Sequence, residues 1–225
     1  MRLQVSWFRV LAEGVVIGVS ILSAFGIQAW WDGRVERKNE LAILTELHTA
    51  LSADLEVLER GLDRFRTMET RGAVLMSYLR SGAPYADSLD AYFGTVYSFS
   101  HPQLNRGGYE SLKSQGIGVV SDAALRSQIA QVYEQTLASV EASMNLEESV
   151  VLDVLRPYFL AHFRDLRSGQ SATPLDFAAV SRDVQFLNAL DYRLQGVARR
   201  DILRFERAVS EMNALIDAIE IELSR

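Results

Sequence analysis

Cysteine is absent from the 225 residues, and histidine occurs only three times. Without a thiol there is no disulfide framework, no thiolate zinc site and no cysteine nucleophile. His48, His101 and His162 stand too far apart for metal-ligand spacing. Four prolines and 14 glycines are too few for an all-β chain, whose tight turns demand both. No Gly-x-Ser-x-Gly elbow occurs, and Gly107-Gly108 and Gly116-x-Gly118 fit neither a phosphate-binding loop nor a dinucleotide fingerprint. The expectation is a non-enzymatic protein with no catalytic residue, no metal and no cofactor.

A basic stripe is missing as well. Arg2, Arg9, Arg34, Arg37 and Lys38 against Glu13, Asp32, Glu36 and Glu40 leave residues 1–40 at +1. The whole chain is −6, so the part beyond residue 40 is −7. An acidic body without a basic face argues against nucleic acid as a partner.

What the chain does have is one long uncharged run, residues 14–31. Counted from Leu11, the apolar stretch would make a helix roughly 31 Å long at about 1.5 Å per residue, close to the hydrocarbon thickness of a bilayer. Trp30 and Trp31 close it and Asp32, Arg34 and Glu36 follow at once; Trp7, Phe8 and Arg9 mark the other boundary. Indoles at the edge and charges beyond are what an interfacial anchor requires. Ala24-Phe25-Gly26 would pass as a signal-peptidase cut, but the apolar run continues past it, and the reading is a retained anchor. Gly14 and Gly18 form a Gly-x-x-x-Gly pair, either a helix-pairing face or simply the glycine usual in spans. Glu13, one turn inside the span, is placed to reach the interface.

Beyond the tryptophans Leu41, His48, Leu55 and Leu62 repeat every seven residues, as do Leu44, Leu51, Leu58 and Phe65. Interleaved, they predict a helix packed along its length, continuous with the anchor because no proline intervenes before Pro84. Residues 87–99 read as a short aromatic helix. The 105–118 segment reads as a loop holding Gly107, Gly108, Tyr109, Glu110, Leu112, Lys113 and Gly116, either a plug for the bundle or a binding surface. Ser121 or Asp122 caps the next helix, and Pro157 kinks it or opens another. Residues 167–174 read as a polar loop, Glu147-Glu148 as a solvated face, and the last helix runs through Leu190, Leu194, Val197, Phe205, Met212 and Ile219. The expected fold is all-α, without a strand pair: a tail at 1–10, a transmembrane helix at 11–31, and an elongated helical bundle at 32–225.

Two segments resemble an uncharacterised family of small bacterial single-span membrane proteins. One is Ala12-Glu13-Gly14 through Ile27-Gln28-Ala29-Trp30-Trp31-Asp32, with Arg34-Val35-Glu36-Arg37-Lys38 behind it. The other is Tyr109-Glu110-Ser111-Leu112-Lys113-Ser114 with Gly116, Asp122, Leu125-Arg126, Ile129 and Tyr133. They look like the family's Glu–span–Ile-x-x-Trp opening and its Tyr-Glu-x-Leu-Lys-x-x-Gly signature. Here the tail is shorter and less basic, and Gly14 and Gly18 replace positions more often aliphatic. The resemblance implies a bacterial inner-membrane protein with a cytoplasmic N-terminus and a periplasmic body, but no activity. Charge alone leaves the orientation open, since the positive counts on the two sides nearly tie. Two function classes follow: a membrane-anchored scaffold holding a protein partner or a second copy, and an extracytoplasmic ligand-binding module.

Overall fold

The computed structural model describes residues 7–225; residues 1–6, and the side chains of Trp7, Phe8, Arg9, Val10 and Ala12, lie outside the described set. The side chains of the expected N-terminal boundary of the span, Trp7, Phe8 and Arg9, therefore lie outside it. Among the described residues the fold is all-α with one added hairpin. Helix α1 (Trp7–Ser81) is a single rod, about 110 Å long at ~1.5 Å per residue, and it carries the apolar N-terminal segment straight into the body, as expected with no proline before Pro84. It ends where expected: Gly82 takes φ +71° and Pro84 follows. Its first part is long and apolar enough to cross a membrane, and none of the described residues covers it. Trp30 and Trp31 are 58% and 61% exposed, and the Arg34 guanidinium lies 4.9 Å over the Trp30 ring. Gly14 and Gly18 face open space.

Beyond the span the helix finds partners. Leu44, Leu51, Leu58 and Phe65 are buried, while Leu41, His48 and Leu55 are half-buried at the edge of the same stripe. His48 accordingly lies at the bundle surface, its Nε2 2.9 Å from Glu220. Two other long helices complete a three-helix bundle. One runs through α4 (Ala123–Gln131), α5 (Leu137–Ser149) and α6 (Arg156–His162); the other through α8 (Val184–Gly196) and α9 (Ile202–Leu223). Three π turns, Val132–Thr136, Val150–Leu155 and Val197–Asp201, join these pieces. Each widens one turn, so the apolar stripe resets on the same face rather than drifting off it. Pro157 falls in the first turn of α6, just past a π turn, and the helix continues through it.

Helix α9 runs antiparallel to α1 and brings Glu222 back beside Arg37, at the end of the body nearest the apolar segment of α1. There Arg37 bonds Glu40 (2.8 Å) and Glu222 (2.6 Å). Glu40 also takes the N–H (2.6 Å) and hydroxyl (2.8 Å) of Ser121, so Asp122 rather than Ser121 caps α4. Between the first two long helices the chain descends again. The short aromatic helix expected at 87–99 is a 3-10 turn (Asp87–Leu89) running directly into α2 (Asp90–Tyr97), and an extended stretch leads down to α3 (Gly107–Gln115).

Two expectations need correction. The 107–115 segment is a helix, not a loop, because its Tyr and Leu sit at positions i and i+3 and bury on one side. Residues 167–174 are not a plain polar loop either. Strands β1 (Phe163–Arg167) and β2 (Ser171–Pro174) pair antiparallel in the register Phe163 to Pro174. Gly169 at φ +77° permits the turn, and its N–H bonds the Gly94 carbonyl at 2.9 Å. A Cβ on Gly94 would lie 2.2 Å from the Ser171 nitrogen, so glycine at 94 is what lets the hairpin sit on α2. Short α7 (Phe177–Val180) then turns the chain into α8.

Candidate functional site

The core divides into two apolar clusters. The proximal one, nearer the apolar segment of α1, gathers Leu44, Leu58, Tyr109, Tyr133, Phe205 and Met212; the distal one gathers Leu75, Phe93, Phe159, Phe163 and Phe186. Between them lies a polar layer that the helical pattern hid. Glu147 on α5 and Arg193 on α8 are each 1% exposed, and Asp201 is fully buried. All three stand at core positions of their stripes: Glu147 between Met144 and Val151, Arg193 between Leu190 and Val197, Asp201 between Val197 and Phe205. Glu147 is therefore not on a solvated face; only its neighbour Glu148 is partly exposed.

The layer is nearly self-satisfied. Arg193 Nε donates to Glu147 Oε2 at 3.0 Å, and its other nitrogens donate to the carbonyls of Val96 and Ser98. Arg200 donates to Asp201 through Nε at 2.8 Å and Nη2 at 3.0 Å, and Asp201 also takes the Ser143 hydroxyl. Glu147 Oε1 finds no hydrogen-bond partner among the described residues; Arg200 Nη2 stands 3.6 Å from it. Burial and Asp201 push the Glu147 carboxyl above its ordinary range, against the pull of Arg193 and Arg200. Burial likewise presses the Arg193 guanidinium down, against Glu147.

Above this layer opens a cavity of about 390 Å³. Phe65, Met68, Phe99, Pro102 and Phe205 supply apolar wall; Glu147 and Arg193 form the inner end; Ser168 and Gly169 of the hairpin turn close one side. Asp63, Arg64, Thr67, Arg71 and Ser100 line it from exposed positions, so it opens to water there. Helix α1 supplies Arg64, Thr67, Met68 and Arg71 because spacings of three, four and seven put them on one face. Arg71 donates to the Thr95 hydroxyl at 2.9 Å. Mostly apolar walls with a few convergent polar groups are what a small-molecule site requires, and the volume falls in the range of such sites.

The residues singled out from sequence lie elsewhere. Tyr109 (3% exposed) and Leu112 are buried in the proximal cluster. The Tyr109 ring stacks on Tyr133 at 4.4 Å, and its hydroxyl donates to Glu134 at 2.8 Å. Burial first, then Glu134, pushes that phenol up to about 12. Gly108 packs against Leu47, and Gly107 is held by the Asn105 side chain. Lys113 lies 5.4 Å over the Tyr109 ring and 3.9 Å from Glu110, while Gly116 ends the helix at φ +91°. Gly108, Tyr109 and Leu112 are packed into the body, Gly107, Glu110, Lys113 and Gly116 are exposed, and none of these residues lines the cavity. The cavity residues were missed, although charged side chains interrupting apolar stripes at 147, 193 and 201 were a readable signal. Among the described residues no group of His, Asp and Glu is arranged to hold a metal ion.

Comparison of the chain with family models, with curated proteins and with solved structures returns no match in any of the three.

Proposed function

We propose that the chain is a single-span, membrane-anchored receptor module whose helical body captures a small molecule in the mid-bundle cavity without transforming it. The cavity carries this reading, because exposed cationic groups, apolar walls and a buried polar end converge there. Along α1 it lies about 50 Å beyond Trp31 at ~1.5 Å per residue, so it samples water rather than lipid. The family resemblance supplies the orientation: a bacterial inner membrane, the N-terminus in the cytoplasm, the body in the periplasm.

Full-length protein in lipid nanodiscs should retain small organic molecules, detected by saturation-transfer NMR. Filling the cavity with Thr67→Trp should abolish those signals. Binding that survives the filling, or no binding at all, would remove the cavity from the function.

The scaffold reading stays as the second. It is favoured by Leu160, Leu175 and Val184, large apolar side chains 61–67% exposed at the membrane-distal end. Their partner would be a protein or a second copy of the chain.

The anchor has its own test. Ile21→Arg, mid-span, should cost about 2.5–3.5 kcal/mol of insertion free energy and shift protein into the carbonate-extractable fraction. A wild-type chain that is itself extracted by carbonate would refute the anchor.

A further inference from the structure

Resting on the cavity reading above, we infer that the ligand is an anionic amphiphile: a carboxylate on an aromatic or aliphatic body small enough for the cavity. The observation is which arginines of α1 are already engaged. Arg60 pairs with Glu56 (3.4 Å), Arg66 with Glu206 (2.8 Å) and Arg80 with Asp191 (3.3 Å). Arg64 and Arg71, the two on the cavity face, have no carboxylate partner among the described residues; Arg71 meets only the neutral Thr95 hydroxyl.

Charge at the inner end is balanced internally, since Glu147 neutralises Arg193 and Asp201 neutralises Arg200. At the rim Asp63 offsets one of the two arginines, which leaves the entrance at +1. Two guanidiniums two helical turns apart offer several N–H donors to one anionic group. Phe65, Phe99 and Phe205 then receive an apolar body of the kind that gains from leaving water. Glu147 and Arg193, each 1% exposed, close the inner end as a paired floor and leave the anionic group of the ligand to the rim. The cavity's distance from the bilayer makes a water-soluble acid the source, not a lipid headgroup.

The test uses the full chain in phosphatidylcholine nanodiscs, with empty nanodiscs as control. Three isosteres are titrated by calorimetry: phenylbutyrate, phenylbutanamide and phenylbutylamine. Phenylbutyrate should bind with one-to-one stoichiometry. The neutral amide and the cationic amine should bind about ten- to a hundredfold more weakly, the value of hydrogen bonds to a charged group. Arg64→Gln with Arg71→Gln should bring phenylbutyrate down to the affinity of the amide; both side chains are exposed, and the melting temperature should not move. Equal affinity for acid and amide, a preference for the amine, an unaffected double variant, or no binding by any isostere would each overturn the inference. Loss of binding in Thr67→Trp, together with equal affinity for acid and amide, would overturn the charge preference while leaving the cavity reading intact.

Discussion

Replacing Arg193 by methionine is expected to lower the unfolding free energy by about 3–5 kcal/mol at neutral pH. Methionine fills much of the volume but leaves Glu147 buried beside Asp201, and it strips the Val96 and Ser98 carbonyls of their donor. The loss should depend on pH, and its sign follows from Glu147. That carboxyl already sits above its ordinary range through burial, and without Arg193 it climbs further. A group whose folded pKa is raised destabilises most when forced to ionise, so the deficit is full above the folded value and eases as pH falls through it. The penalty should therefore shrink between neutral pH and about pH 5. Glu147→Leu combined with Arg193→Met should recover most of the stability, because removing both charges leaves no carboxylate unpaired. Denaturant unfolding of the full chain across pH measures all three variants. A single variant as stable as the wild type, or a penalty that grows in acid, would show that the pair is not the buried, mutually dependent unit described.

Tyr109→Ala is expected to cost about 3–5 kcal/mol, as aromatic truncations in cores do. The change removes a ring stacked on Tyr133, a hydrogen bond to Glu134, and the seat of α3 on α1. Lys113→Ala is the matched control: the lysine is exposed, and its contacts with the ring and with Glu110 should contribute no more than about 1 kcal/mol. A Tyr109→Ala chain that melts with the wild type would remove the plug and make α3 a binding surface instead.

The architecture was legible because it rests on local signals. The uncharged run ending in Trp30-Trp31, the heptads from Leu41 to Phe65, the absence of proline before Pro84 and the Ser81–Pro84 stop each act within a few turns of helix. Each has its structural counterpart: an uncovered apolar rod, a buried stripe, a helix of unbroken length and its end. The hairpin was missed because β1 and β2 are short and their stability is not their own. They pair where Gly94 lets the chain close on α2 and where Thr173 bonds Asp90 at 2.5 Å, contacts more than seventy residues apart. Propensity within so short a segment carries no trace of that support.

The candidate site divides the same way. Sequence drew attention to the glycines and Tyr109 because unusual local composition is visible without a fold, and its buried members pack on α1 and Tyr133 away from the cavity. The cavity instead gathers Arg64 and Arg71 from α1, Thr95 from α2, Glu147 from α5, Arg193 from α8 and Ser168 from the hairpin. On its own helix each looks ordinary: an exposed arginine, a polar residue in a stripe, a serine in a turn. By itself the sequence determined the rod, its apolar span and its helical partners, because periodicity and the cost of burying a charge act along the chain. Only the tertiary structure decided which interrupting charges are paired and which are left facing water, because pairing depends on the distance between side chains on different helices.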